Sequence, residues 1–376
     1  MVRIVHTADN HIGMSFNSSK YPEAVSPVLA EERIEALKTM VTSANQREAN
    51  FLVVAGDLFD SLRVSVAQQK KTCEVLMAFE GYVLIMPGNH DFYEEGEDKF
   101  WHKFLRHDRL HKITLLSQYK PYDFEIEDTT IIFYPAPCRS KHSADNEIGW
   151  VKNIQVNKKT LNIGVAHGNI EGLGMGADRY FNMSPDELKK SPVDFWLLGH
   201  IHVPYPPTPV DNNPGFFMPA THTPDGFDRR HPGYCWYLEI SADKKIKMEQ
   251  WVTGKMRFDE WSEELYSEKD IQRLQLRLNK VEDKNNTLLK LLLKGRLSKN
   301  EKEGLSLILQ KYMQEYLLLL PSNEVKLNID PEFINEHYSS GSIPHRLLTE
   351  LAEEDREGLS LQLLVEMMQQ EKGGKG

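Results

Sequence analysis

Five short polar motifs stand out in the sequence, because each follows directly on a short apolar run. They are Asp9-Asn10-His11, Gly56-Asp57, Gly88-Asn89-His90-Asp91, His167-Gly168 and Gly199-His200-Ile201-His202. In open α/β sheets, the loops just beyond the carboxyl ends of the strands build the active site. We therefore expect the five motifs to converge on one site.

The candidate ligands in these motifs offer oxygen and imidazole donors without sulfur. The set comprises two Asp, one Asn and four His: Asp9, His11, Asp57, Asn89, His167, His200 and His202. Such donors suit manganese, iron or zinc, whereas calcium takes oxygen ligands only. If one Asp bridges, the set serves two ions with four ligands each. Two ions about 3.5–4 Å apart can promote in-line displacement at a phosphoryl group. The set thus predicts metal-assisted phosphoester hydrolysis.

The elements that must position these residues alternate along the first ninety residues. Apolar runs at residues 4–8, 51–55 and 82–86 predict strands, and amphipathic runs near 29–48 and 65–79 predict helices between them. Further strands are predicted at 130–134, 161–166, 195–198 and 234–240. The alternation indicates one α/β domain that extends to about residue 255.

The pattern changes after residue 255. A charged helical pattern covers 258–282, a second helix is predicted over 304–320, and strands are predicted at 288–293 and 325–329. These elements indicate a small α/β unit. Beyond residue 330, two short helices with apolar faces are predicted from Leu347, Leu348, Leu351, Leu359, Leu361, Leu363, Leu364, Met367 and Met368. Those faces either belong to the core of this chain or dock a partner.

The composition is that of a folded globular protein, with 40% hydrophobic and 27% charged residues in a chain of 376. The three cysteines, Cys73, Cys138 and Cys235, form no CxxC pair, which argues against a disulfide framework and a thiolate zinc site. The N-terminal residues lack an apolar signal region, and no run of eighteen apolar residues follows. We therefore expect a cytoplasmic protein without a membrane span.

The charge distribution is uneven. The net charge of −10 argues against a protein that coats nucleic acid by bulk attraction. However, residues 271–300 carry eight Lys or Arg against Glu282 and Asp283. This basic island includes Arg273, Arg277, Lys280 and Lys284, which either form a solvated face or contact the DNA backbone.

The ordered motifs, together with the strings HTADNHIG, VVAGDLFD and IMPGNHD, resemble the calcineurin-like metallophosphoesterase superfamily and its SbcD-type DNA exonuclease branch. The resemblance covers residues 1–255 strongly. The remaining residues resemble the family only in their layout, a small cap followed by C-terminal helices. It implies an α/β fold of two mixed sheets flanked by helices, the layered metallophosphoesterase fold. It also implies three domains: a nuclease domain at 1–255, a small α/β capping domain at 256–330 and a C-terminal helical segment at 331–376.

Carried over residue by residue, the resemblance implies two divalent ions, with Mn²⁺ expected. Asp9, His11 and His202 would hold one ion, Asn89, His167 and His200 would hold the other, and Asp57 would bridge both. His90 would donate a proton to the leaving alkoxide, and Asp91 would orient His90. Asp60 stands where some archaeal relatives carry a histidine.

The activity implied is hydrolysis of DNA phosphodiesters in DNA repair, by an exonuclease that also cuts single strands as an endonuclease. The resemblance further implies an SMC-like ATPase partner of the SbcC type and a homodimer. Two alternatives stay open. One is a small-substrate phosphodiesterase or phosphatase of the same superfamily, and the other is a non-catalytic scaffold for DNA ends.

Overall fold

The computed structural model describes residues 1–16, 21–173, 180–228, 231–329, 331–354 and 364. Contacts divide the chain into two compact units, Met1–Arg257 and Phe258–Gly376. The elements of the first unit are β1 (Val2–Thr7), α1 (Ser26–Gln46), β2 (Phe51–Ala55), α2 (Val66–Met77), β3 (Tyr82–Met86), α3 (Phe100–Leu105), β4 (Ile113–Leu115), β5 (Tyr122–Ile126), β6 (Thr129–Ala136), β7 (Leu161–His167), α4 (Pro185–Lys190), β8 (Phe195–Gly199), β9 (Phe216–Phe217), β10 (Tyr234–Ile240) and β11 (Ile246–Val252), with a 3₁₀ helix at Ile148–Asn153.

Two sheets form the centre of the first unit. The larger sheet has the order β11-β10-β1-β2-β3-β4, in which β1 to β4 run parallel while β10 and β11 are antiparallel to their neighbours. The smaller has the order β5-β6-β7-β8-β9, in which only the β5–β6 pair is antiparallel. Both sheets are therefore mixed, as the predicted α/β fold of two mixed sheets requires.

The burial of β2 shows how the layers stack. All five of its side chains are buried, as expected for a strand that is covered on both faces. Leu52 and Val54 pack in a cluster with Leu37 of α1 and Leu76 of α2. Phe51, Val53 and Ala55 pack instead against the smaller sheet, in a second cluster that contains residues of β6, β7 and β8. The two sheets thus enclose the central core.

Helices cover the outer faces. In the smaller sheet, Trp196 and Leu198 of β8 pack outward against the 3₁₀ helix and Leu188 of α4. The other face of the larger sheet is covered by α1, α2 and α3. The first unit therefore has four layers: helix, sheet, sheet and helix.

The second unit has its own sheet and core. Its elements are β12 (Arg257–Leu265), α5 (Glu268–Asn279), β13 (Thr287–Leu297), α6 (Lys299–Glu315), β14 (Leu318–Asn323), β15 (Lys326–Leu327), α7 (Pro331–His337) and α8 (Ile343–Glu354). The sheet order is β12-β13-β14, and β15 also pairs with β13. Its core joins the leucines of β13 to Leu274 of α5 and Leu305 of α6.

Two helix predictions in this unit need correction. The predicted helix over 258–282 is wrong for its first part, because that part forms β12 on the edge of the sheet. An edge strand tolerates the charged side chains that suggested a helix. The helix predicted over 304–320 begins earlier, at a capping box between Ser298 and Glu301, and it ends at Glu315 because Tyr316 is extended. Leu318–Asn323 then pairs with β13.

The C-terminal helices α7 and α8 pack on each other through a small apolar cluster. Leu348 of α8 is fully buried against Ile334 and Tyr338, and Leu351 and Leu364 pack around it. Leu347 is 40% exposed. The remaining apolar positions of the predicted second helix, Leu359, Leu361, Leu363, Met367 and Met368, lie outside the described residues.

Among the helices of the described ranges, none has both the length and the apolar character needed to cross a bilayer.

Candidate metal centre

The candidate ligands all follow strand ends of the first unit. Asp9 and His11 follow β1, Asp57 follows β2 and Asn89 follows β3, and these three strands are parallel neighbours. His167 is the last residue of β7, and His200 and His202 follow its parallel neighbour β8. The carboxyl ends of five strands, drawn from both sheets, thus bring seven side chains to one edge of the sandwich.

Five of these seven residues have a left-handed backbone. The φ angles are 53° at Asp9, 44° at His11, 55° at Asp57, 107° at His200 and 59° at His202. Residues other than glycine rarely adopt positive φ, and such strain gathers at functional sites. Backbone hydrogen bonds from the Asp9 N–H to the Gly56 carbonyl (3.1 Å) and from the His11 N–H to the Asp57 carbonyl (3.0 Å) hold these loops. The fold therefore enforces the side-chain directions at this edge.

One group of donors joins Asp9, His11 and His202. The Nε2 atoms of His11 and His202 lie 3.2 Å apart, and Nε2 of His202 lies 3.4 Å from Oδ1 of Asp9. All three side chains converge closely enough to share one cation. Oδ1 of Asp9 is buried without a hydrogen-bond partner in the described structure, as expected of an atom that ligates a metal.

A second group of donors joins Asn89, His167, His200 and Asp57. Oδ1 of Asn89 lies 3.0 Å from Nε2 of His167 and 3.1 Å from Nδ1 of His200. Nε2 of His167 lies 3.2 Å from Oδ2 of Asp57. The amide of Asn89 donates to the carbonyl of Lys141 (3.5 Å), which fits the orientation that turns its oxygen toward the two histidines.

Asp57 lies between the two groups. Its Oδ2 atom is 3.2 Å from Nε2 of His167 in the second group and 3.9 Å from Nε2 of His11 in the first. Its Oδ1 atom accepts a hydrogen bond from the His90 N–H at 2.8 Å. Gly88 permits this approach, because a Cβ atom there would lie 2.2 Å from Oδ1 of Asp57. One carboxylate oxygen is thus within reach of both groups.

The buried carboxylates and histidines of the site shift one another's pKa values. Burial raises the pKa of Asp9 and Asp57, but the charges of His202 and His167 respectively outweigh it and hold both pKa values well below the usual range. Burial lowers the pKa of His167, yet Asp57 raises it to about 9, and Asp9 and Asp225 similarly raise the pKa of His202 to about 10. Each of these histidines and its facing carboxylate thus favour the charged form of the other.

These residues fit two divalent cations. Asp9, His11 and His202 could hold one, Asn89, His167 and His200 the other, and Asp57 could serve both. The donors are oxygen and imidazole nitrogen, which suit manganese, iron and zinc. The structure brings the seven expected ligands together, with His200 and His202 partly buried and the other five buried. Oδ1 of Asp9 has no hydrogen-bond partner among the described residues.

His90 and Asp91 are placed differently from each other. His90 is partly exposed beside the first group, with its ring 4.7 Å from the ring of His11. The carboxylate of Asp91 faces away, because it accepts hydrogen bonds from the Gly88 N–H (2.7 Å) and the Phe59 N–H (3.0 Å). Burial and the charge of Asp57 raise the pKa of Asp91 to about 7. Asp91 therefore braces the loop, and the interpretation that it orients His90 needs correction.

Asp60 and Asp225 are the residues that sequence reasoning missed as supports of this site. Nδ1 of His90 donates to the Asp60 carbonyl at 2.9 Å, and Nδ1 of His11 lies 3.5 Å from the Asp60 carboxylate. Oδ2 of Asp225 lies 3.3 Å from Nδ1 of His202. The position of Asp60, three residues after the candidate ligand Asp57, was a sequence signal that could have identified it as a support of the site. Asp225 gave none, because it lies on a loop outside every motif.

The four basic residues expected to contact DNA lie in and after α5, in the second unit. Arg273 pairs with Asp270 (2.7 Å), and Arg277 pairs with Glu263 while its guanidinium lies 3.9 Å from the ring of Trp261. Lys284 lies 3.8 Å from Glu315. Lys280 is exposed. Three of these four residues therefore lie beside an acidic side chain.

A layered sheet sandwich that gathers Asp, Asn and His at its strand ends defines the class of metal-dependent phosphoesterases. The family model of the calcineurin-like phosphoesterases matches residues 2–204, more than half of the chain. The protein belongs to this family. It is therefore a hydrolase of the metallophosphoesterase type.

Comparisons with individual proteins are weaker. The chain is 27% identical over 202 residues to the metallophosphoesterase YhaO of Bacillus subtilis, described as uncharacterized, covering 53% of this chain and 48% of YhaO. It is 23% identical over 232 residues to the SbcD component of the SbcCD nuclease of Staphylococcus epidermidis, covering 54% and 58%. The chain thus spans about half the length of the curated relatives it matches. A solved dimetal phosphatase from Danio rerio shares 12% identity at a TM-score of 0.39, covering 68% of this chain and 97% of that one.

Proposed function

We propose that the protein is a two-metal phosphodiesterase whose substrate is DNA. The observation that carries the proposal is the position of Asp57, whose Oδ2 atom lies near histidines of both donor groups. Two divalent cations in such a site supply Lewis acidity toward a phosphoryl oxygen and toward the attacking water. Mn²⁺ is the ion we propose, because the SbcD-type resemblance implies it and the mixed oxygen and imidazole donors suit it as they suit iron and zinc.

His90 is the proposed proton donor to the leaving oxygen. Its Nδ1 atom donates a hydrogen bond to the Asp60 carbonyl, which can only accept, so the Nδ1 proton is held in that hydrogen bond. Exchange of a proton with a substrate therefore uses Nε2. His90 is partly exposed, unlike the buried histidine His167, so a substrate can reach it. Asp60 fixes the ring, and this leaves Asp91 a structural role in the loop.

DNA is proposed as the substrate because of the SbcD-type motifs and the relative named as part of a nuclease. Cleavage from DNA ends and within single strands, in DNA repair, follows from the same resemblance. We also propose a homodimer and an SMC-like ATPase partner of the SbcC type on that basis. The second unit would supply further contacts to DNA, with exposed Lys280 as the candidate from α5.

The test compares four substrates with one preparation of Mn²⁺-loaded protein. End-labelled duplex DNA and single-stranded DNA report on the nuclease, and an aryl phosphodiester and an aryl phosphomonoester report on small-substrate activity. The control variant is Asp57→Asn, which removes a charge from the shared ligand and should abolish hydrolysis of all four.

We expect progressive shortening of labelled DNA and hydrolysis of the aryl diester. Rapid hydrolysis of the aryl monoester with intact DNA would instead assign the protein to the small-substrate phosphatases. Binding of DNA ends without hydrolysis of any of the four substrates would favour the non-catalytic scaffold.

A further inference from the structure

One carboxylate beside the metal centre belongs to neither donor group. Asp225 lies on the loop between β9 and β10, and its side chain is mostly buried. Its Oδ2 atom is 3.3 Å from Nδ1 of His202 and 3.8 Å from Nη2 of Arg33. The opposite ring nitrogen of His202, Nε2, faces Asp9 and His11. His202 is thus held between Asp225 on one side and the first donor group on the other.

Arg33 fixes the place of Asp225. The guanidinium is fully buried, donates to the Asn10 carbonyl at 2.7 Å and contacts Sδ of Met14 at 3.2 Å. A buried guanidinium needs a compensating charge, and Asp225 supplies it. Because Arg33 also bonds the backbone between Asp9 and His11, it ties Asp225 to the same loop that carries two of the donors.

We propose that Asp225 is a positioning residue for metal binding, which accepts the Nδ1 proton of His202 and so presents Nε2 as a ligand. A carboxylate behind a metal-binding histidine fixes the tautomer and ring direction, and it raises the basicity of the ligating nitrogen. The inference rests on the proposed function, since it requires a cation at His202.

The two donor groups differ in this respect. His202 has the carboxylate of Asp225 behind it, whereas Nδ1 of His167 in the second group faces the neutral carbonyl of Ala55 at 2.9 Å. Loss of Asp225 should therefore weaken the ion held by Asp9, His11 and His202 and spare the other.

The test is a calorimetric titration of the metal-free full chain with Mn²⁺. Asp225→Asn keeps the size of the side chain and a carbonyl acceptor, and Asp225→Ala removes the contact. Asp228→Asn, on the same loop and exposed, is the matched control. We expect two binding steps in the wild type. One should weaken by about 10–100-fold in Asp225→Ala and by less in Asp225→Asn. The other step and the Asp228→Asn control should be unchanged, whereas the melting temperature should fall in both Asp225 variants because buried Arg33 loses its compensating charge.

A second readout does not depend on affinity. In Zn²⁺-loaded protein with ¹⁵N-labelled histidine, His202 should show a slowly exchanging Nδ1–H that is lost in Asp225→Ala and kept in Asp228→Asn. Two Mn²⁺ steps in the wild type that are identical in both Asp225 variants would overturn the role of Asp225 alone. Equal weakening of both steps would reduce it to a structural role. A wild type that binds no Mn²⁺ would contradict the proposed function, and this inference with it.

Discussion

At the scale of single residues, function rests on strained backbone and crowded side chains. Asp9, His11, Asp57, His200 and His202 all hold positive φ angles. Such conformations persist only where the surrounding structure over-determines them. Residue changes at this edge should therefore act on metal binding and chemistry before they act on the fold as a whole.

His90→Asn tests the proton donor without removing a candidate ligand. Loss of a general acid lowers rates by about 10²–10⁴-fold, so DNA hydrolysis should fall by that factor while Mn²⁺ content is kept. An aryl diester has a leaving group that needs little protonation, so its hydrolysis should fall far less. Equal losses on both substrates would show that His90 is not the proton donor.

Gly88→Ala tests the crowding around Asp57. The added Cβ would meet Oδ1 of Asp57 at 2.2 Å and its backbone N at 2.4 Å, so the shared carboxylate must move. We expect loss of bound Mn²⁺ and of DNA hydrolysis. Gly149→Ala is the control, because its Cβ meets nothing within 4 Å. Normal Mn²⁺ content in Gly88→Ala would show that the site tolerates displacement of Asp57.

At the scale of elements, strand ends of the first unit form the site, and the second unit has helices with features of their own. The carboxyl ends of β1, β2, β3, β7 and β8 carry the donors. In the second unit, α5 carries a basic face partly neutralised by Glu263 of β12 and by its own Asp270. The α7–α8 pair has a buried side and an exposed side.

Lys280→Gln tests whether the C-terminal end of α5 meets DNA. A lysine that neutralises one phosphate contributes about 0.9 to the slope of log K against log salt, so the slope should fall by about that amount. Hydrolysis of the aryl diester should be unchanged. The control is Arg277→Gln, whose charge Glu263 already balances. An unchanged slope in Lys280→Gln would show that this end of α5 is solvent-exposed and does not contact DNA.

Leu348→Ala and Leu347→Ala separate the two sides of α8. Leu348 is fully buried, and a buried Leu→Ala change costs about 2–5 kcal/mol, so the free energy of unfolding of the helical pair should fall. Leu347 is 40% exposed, and its variant should stay within about 0.5 kcal/mol of the wild type. Hydrogen exchange of α7 and α8 measures both. Equal protection in the two variants would contradict the packing of Leu348.

At the scale of the whole molecule, the sequence predicted what is local and missed what depends on distant contacts. The motifs and the strands before them lie together in the sequence, so their convergence followed from sheet topology. Three contacts depend instead on tertiary packing. They are the hydrogen bond of Asp91 with Phe59, the approach of the Asp225 carboxylate to His202, and the pairing of β12 with β13. No local pattern specifies such contacts.

The central claim is a two-ion site in which Asp57 serves both ions, and metal content measures it most directly. Wild-type chain loaded with Mn²⁺ and freed of excess metal should retain two ions by elemental analysis. Asp57→Ala should retain close to none, because the variant loses the one side chain near both groups of donors. A wild type with two ions and an Asp57→Ala variant that also keeps two would contradict the claim.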